Sequence, residues 1–132
     1  MSSNAFRRGF EVDLKAFLAT LTPSPVFYDT INLDNDPTDN LWVTVEYFAA
    51  YAQKLSTCTN EYRGAVDVYV FGKAGEGYDT VNKIADAIEG HFNSWDLSTV
   101  NAQIIGSSMP ESLGGDSRFY AEVVNFDYSL FE

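Results

Sequence analysis

From Ser3 to Leu21, apolar side chains recur at three- and four-residue steps, as Phe6, Phe10, Leu14, Phe17, Leu18 and Leu21. That spacing predicts an amphipathic helix with these six residues on one face. Arg7, Arg8, Glu11 and Lys15 fall on the other side, where Glu11 and Lys15 form a favourable i, i+4 pair. The helix is expected to stop before Thr22-Pro23-Ser24-Pro25, because each proline removes a donor and biases its predecessor to extended geometry.

The period then falls to two. A short extended piece at Val26-Phe27-Tyr28 leads into an acidic, turn-rich stretch from Asp29 to Asn40. Leu41, Val43, Val45 and Tyr47 alternate with polar or opposite-facing residues, which is a strand signature, and the strand is expected to continue through Phe48, Tyr51 and Leu55. A turn between Ser56 and Asn60 separates it from a second alternating run, Tyr62 to Phe71, with Tyr62, Val66, Val68 and Val70 on one side. The two runs are expected to pair as a long antiparallel hairpin, with Gly64 marking a bulge or bend.

After the glycine-rich run from Gly72 to Gly77 the helical period returns. Tyr78, Val81, Ile84, Ala85, Ile88 and Phe92 predict an apolar stripe, with Gly90 placed to close the helix. A short buried strand follows at Val100 to Ile105, then a polar loop from Gly106 to Ser117, then a last strand from Arg118 to Tyr128. The order α-β-β-β-α-β-β predicts an α+β fold: a single mixed, mainly antiparallel sheet with two helices packed on one face. The opposite face is expected to carry Trp42, Phe48, Tyr69 and Tyr120, apolar enough to call for a partner.

At 132 residues, with no composition shift or repeat, the chain reads as one domain over 1–132. Its net charge of −11, with eight basic residues dispersed along it, leaves no electrostatic footprint for nucleic acid. The single Cys58 forms no intrachain disulfide and fits a reducing compartment. The N-terminal segment has no uninterrupted apolar core or cleavage site of the kind a signal peptide needs, and no stretch approaches a transmembrane span, so a soluble protein is expected.

The chemical motifs are weak. Asp34, Asp36 and Asp39 crowd together as calcium ligands would, but the position that needs glycine is Asp39 and the position that needs glutamate is Val45. The Asp34–Asp39 loop therefore reads first as a solvated turn and second as a calcium-binding module. The glycine run before the second helix lacks the Gly-Lys-Ser/Thr ending of a phosphate loop, and Glu76 and Asp79 would repel phosphate. His91 falls at a helix end, where the dipole favours a cation. No base–nucleophile signature surrounds His91 or Cys58, and a hydrolase built on either is the least supported reading. The many carboxylates are expected in loops and on polar helix faces. No catalytic residue, cofactor or metal site is assigned.

The strand LWVTVEYF (residues 41–48), the strand and glycine loop YRGAVDVYVFGKAGEG (62–77), and the helix YDTVNKIADAIEGHF (78–92) follow an amphipathic helix that ends at a Thr-Pro break. This succession, closed by paired C-terminal strands, resembles the tail terminator and minor tail proteins of long-tailed bacteriophages. The resemblance covers nearly the whole chain and lies in element order and apolar spacing. It implies a structural, non-enzymatic virion protein, assembled in the host cytoplasm, that forms a ring, commonly a hexamer. Such a ring caps the tail tube, ends its polymerisation and presents a head-joining surface to a completion or connector protein. DNA passes the lumen without specific binding, and the acidic charge suits such a conduit. Another head–tail connector or tail-completion protein of similar topology is the nearest alternative. Contacts with a neighbouring subunit or partner are expected from Tyr47, Phe48, Tyr51, Leu55 and Tyr69, and from Met109 and Leu113 in the second loop.

Overall fold

Helix α1 (Ser2–Leu18) buries Phe6, Phe10, Leu14 and Leu18 and leaves Phe17 partly covered, as its apolar stripe requires, and Leu21 packs on the same core from beyond the helix end. It stops three residues earlier than the spacing predicts, because side chains take over its last carbonyls. Thr20 Oγ1 donates to Phe17 O at 2.6 Å and Ser24 Oγ donates to Leu18 O at 2.8 Å. The structure, a computed structural model, describes residues 2–28, 40–54, 60–73, 78–97, 102–115 and 119–131. The Asp34–Asp39 loop, Leu55 and Cys58 lie outside the described residues.

The strands are β1 (Val26–Phe27), β2 (Leu41–Lys54), β3 (Asn60–Lys73), β4 (Asp96–Leu97), β5 (Ala102–Ser107), β6 (Glu111–Gly115) and β7 (Phe119–Phe131), with helix α2 (Tyr78–Phe92) between β3 and β4. They form one sheet in the order β1-β2-β3-β7-β5-β4, with β6 pairing β7 beyond the end of β5. The β1–β2 pair is parallel and every other pair antiparallel. The α+β class and the two helices on one face are as the sequence predicts. Both helices bury their stripes in one core with Val43, Val45, Val66, Val68, Val70, Val124, Phe126 and Leu130.

The β2–β3 hairpin forms from Leu41↔Gly72 to Lys54↔Asn60. Its register shift lies in β2, between Ala49 and Tyr51, and not at Gly64 itself, which sits opposite. Gly64 answers a packing demand. A Cβ there would stand 2.5 Å from Tyr128 Oη and 2.7 Å from Phe48 O, closer than any real contact. The Tyr128 ring passes over Gly64 and stacks beneath Phe6 at a centroid distance of 3.9 Å.

Four expectations are corrected. The polar loop predicted from Gly106 to Ser117 contains β6, held on β7 from Glu111↔Val123 to Gly115↔Tyr120. Ser108 N donates to Asn125 O at 2.9 Å and accepts from Asn125 N through its own Oγ at 3.1 Å, so β5 and β6 form one kinked strand along β7. Gly90 does not close α2, which runs on to Phe92, and Tyr78 leaves the stripe with 69% of its surface exposed. Tyr120 lies on the helix side of the sheet. It packs edge-on against Tyr78 at 4.5 Å and donates its phenol hydrogen to Glu122 at 3.1 Å.

Candidate assembly surface

Only part of the face away from the helices is available to a partner. Trp42 stacks on Phe71 at 5.2 Å with Phe119 edge-on to both rings, and Tyr28 and Tyr69 pack around them. Trp42, Phe71 and Ala121 are thereby buried within the chain. The expectation of an open aromatic face is overturned, because the chain covers most of that apolar surface itself.

The carboxylates are likewise not all solvated. Glu122 is 3% exposed on the helix side and accepts hydrogen bonds from Asn82 Nδ2 and Tyr120 Oη, both at 3.1 Å. On the opposite face Glu61 is buried, accepting from Ser129 Oγ at 2.9 Å and from Arg63 Nε at 3.2 Å. Asp67 accepts from Asn125 Nδ2 at 2.6 Å and from Tyr69 Oη at 3.4 Å. Such carboxylates are held by partners because burial without them is costly. Replacing Glu122 with alanine, which strands two donors, is expected to lower unfolding free energy by about 1–3 kcal/mol. Glu122→Gln, which keeps an acceptor, is expected to lose less; urea denaturation of both variants measures the difference.

His91 stacks on Phe17 at 4.1 Å, and its Nε2 lies 3.3 Å from Asp13 Oδ1, while Trp95 Nε1 donates to the other Asp13 oxygen. The histidine therefore ties α2 to α1 rather than capping its own helix. Among the described residues no group of His, Cys, Asp and Glu could hold a metal ion, and no helix is long and apolar enough to cross a membrane.

The residues expected at contacts separate. Tyr47 joins the helix-side core, with the Arg7 guanidinium 4.6 Å above its ring, and is withdrawn from any docking surface. Tyr69 is half-buried in the second cluster. Tyr51 lies in β2, and nothing is described of its side chain. Phe48, Met109 and Leu113 are the ones left open, at 44%, 82% and 52% exposure. Ile105, missed by the reading of a wholly buried strand, joins them because the register shift between Ile104 and Gly106 turns it outward. Phe48 lies on β2, and Ile105, Met109 and Leu113 lie along β5–β6, so these four open apolar residues mark two opposite sides of the sheet. Gly114, at φ 76°, accommodates the irregularity beside Leu113.

Burial, reinforced by the Glu11 carboxylate, pushes the Tyr47 phenol well above the ordinary tyrosine range. Burial also raises Tyr69, with the Asp67 charge adding to it, and Tyr128, where Arg7 opposes the rise. A phenol that holds its proton more tightly when folded stabilises the fold below its unfolded pKa of about 10. That stabilisation is lost as pH rises through the folded value. Stability is therefore expected to fall above about pH 10, and to fall less steeply in Tyr47→Phe, as denaturation curves taken at successive alkaline pH values will register.

No family model matches the chain, and no curated protein matches it. Among solved structures, one is similar over the whole length, with a TM-score of 0.74 at 18% identity, covering 98% of this chain and 96% of the other. At that identity the likeness concerns the fold alone.

Proposed function

We propose that this protein is a structural subunit that assembles with copies of itself into a ring capping a phage tail tube, where it ends tube growth and presents a head-joining surface. The observation that carries self-assembly is the placing of four of the exposed apolar residues: Phe48 on one side of the sheet, and Ile105, Met109 and Leu113 on the opposite side, with Val12, Val26 and Tyr78 exposed on α1, β1 and α2. Unlike surfaces on opposite sides of a subunit make head-to-tail contacts, and these close into rings when the rotation permits. The tail-tube role rests on the resemblance of the element succession, with which the α+β architecture agrees.

At −11 per chain, the copies repel one another until salt screens them. Light scattering is expected to give a mass that rises with protein concentration and with salt, and negative-stain microscopy is expected to reveal rings. Added to polymerising tail-tube protein, the chain is expected to shorten the tubes. A strict monomer at every concentration and salt, with no effect on tube length, overturns the proposal.

A further inference from the structure

We infer that neighbouring copies join by main-chain pairing, with the free edge of β2 at residues 44–48 of one copy antiparallel to β6 (Glu111–Gly115) of the next. This rests on the self-assembly proposed above and adds the partner strand, its direction and the head-to-tail character of the contact.

On the β2 side, β1 covers only Trp42 and Val43, and among the described residues nothing pairs with this edge beyond them. Tyr28 N donates to Val43 O at 2.9 Å, so the Val43 peptide groups face away from β3. Alternation along the strand then turns the N–H and C=O of Val45 and Tyr47 the same way, although both side chains belong to the core. The register shift between Ala49 and Tyr51 ends the straight part of the edge. On the other side, β4 covers β5 at Ala102 and Gln103, Ile104 N donates to Trp95 O at 2.9 Å, and β6 pairs β7 alone among the described residues. Pro110 separates β5 from β6, as proline is tolerated on an edge strand. Two short strand edges of similar length thus lie on opposite sides of one sheet, each beside exposed apolar side chains. Unpaired edges of this kind are templates for another strand.

Strand direction favours a second copy as the occupant. β2 is antiparallel to β3, β3 to β7, and β7 to both β5 and β6, so β2 and β6 run in opposite senses. A copy set beside the first in the same orientation brings β6 against β2 antiparallel and continues the alternation of the sheet. The registers set β6 level with residues 41–44 of β2 and Phe48 level with Gly106, so a slide of the copy along the strands is also needed to bring β6 against residues 44–48 and Phe48 toward Leu113.

Complementary variants test this. Phe48→Lys and Leu113→Lys both alter exposed positions, and circular dichroism is expected to confirm that each folds. Phe48→Lys spoils the β2 edge and keeps β6, whereas Leu113→Lys does the reverse. Each alone is expected to lose at least about tenfold in association constant, as one disfavoured contact of about 1.4 kcal/mol implies. Mixed together, they are expected to form one-to-one heterodimers that grow no further, because one good edge remains on each. Hydrogen exchange in the wild-type assembly is expected to slow at residues 44–48 and at 111–115 together. Slowing at one edge only, with no heterodimer from the mixture, means two-fold self-pairing and overturns the inference. An assembly that slows exchange at neither edge overturns it while leaving the proposed function standing. A chain monomeric under all conditions overturns both.

Discussion

Gly64→Ala is expected to be among the most damaging single-atom additions this chain can receive, costing about 3 kcal/mol or more, at the upper end of overpacking penalties. The added methyl would meet Tyr128 Oη at 2.5 Å, Tyr128 Cζ at 2.6 Å and Phe48 O at 2.7 Å. Backbone on one side and a ring clamped by Phe6 on the other leave no inexpensive movement. The clash is shared with a single side chain, so Gly64→Ala combined with Tyr128→Ala is expected to cost less than the sum of the two. Thermal and urea denaturation of the three variants give that cycle. Equal costs for the double variant and the sum would mean that Phe48 O, and not the Tyr128 ring, sets the penalty. By contrast Gly90, on α2 with nothing within 4 Å of its absent methyl, is expected to tolerate alanine.

Phe10→Ala is expected to lose about 3–5 kcal/mol, the range for emptying a buried aromatic site. Phe10 is fully buried and contacts Phe6 at 5.8 Å, Phe92 at 4.6 Å, Trp95 at 5.7 Å and Phe126 at 6.2 Å between centroids. It joins α1, α2 and β7 through one ring, so its loss leaves a cavity that no single element can close. A typical domain holds about 5–15 kcal/mol in total, so the variant is expected to show a greatly lowered denaturation midpoint. Phe10→Leu, which keeps most of the volume, is expected to recover a large part of it. If Phe10→Ala changes the midpoint no more than an exposed substitution such as Val12→Ala, the aromatic cluster does not hold the helices as described.

Much of the fold is legible in the chain because it depends on short periods. A 3.6-residue repeat places Phe6, Phe10, Leu14 and Leu18 on one stripe whatever they later meet, and the same holds for Val81, Ile84, Ile88 and Phe92. Alternation likewise groups Leu41, Val43, Val45 and Tyr47 on one face. Alternation does not say which of two faces meets the core, since a shift of one residue exchanges them. That is why the alternation assigns Tyr120 to the face opposite the helices, whereas the structure puts it on the helix side with Glu122. The strand β6 was illegible for another reason. Glu111-Ser-Leu-Gly-Gly115 has little intrinsic preference for a strand, and β7 imposes one by pairing with it.

The contact surface was legible only in part. Phe48, Met109 and Leu113 are exposed apolar residues as expected, whereas Tyr47 and Tyr69 are drawn inward by packing against residues far along the chain. The sequence by itself determined the two helix stripes, the long β2–β3 hairpin and the acidic charge, because each is a property of neighbouring residues. Only the tertiary structure decided that Gly64 must stay bare for Tyr128, that Trp42 and Phe71 cover themselves, and that among the described residues the sheet keeps an open edge on each side. Those features arise between residues tens of positions apart, where no local period carries the information.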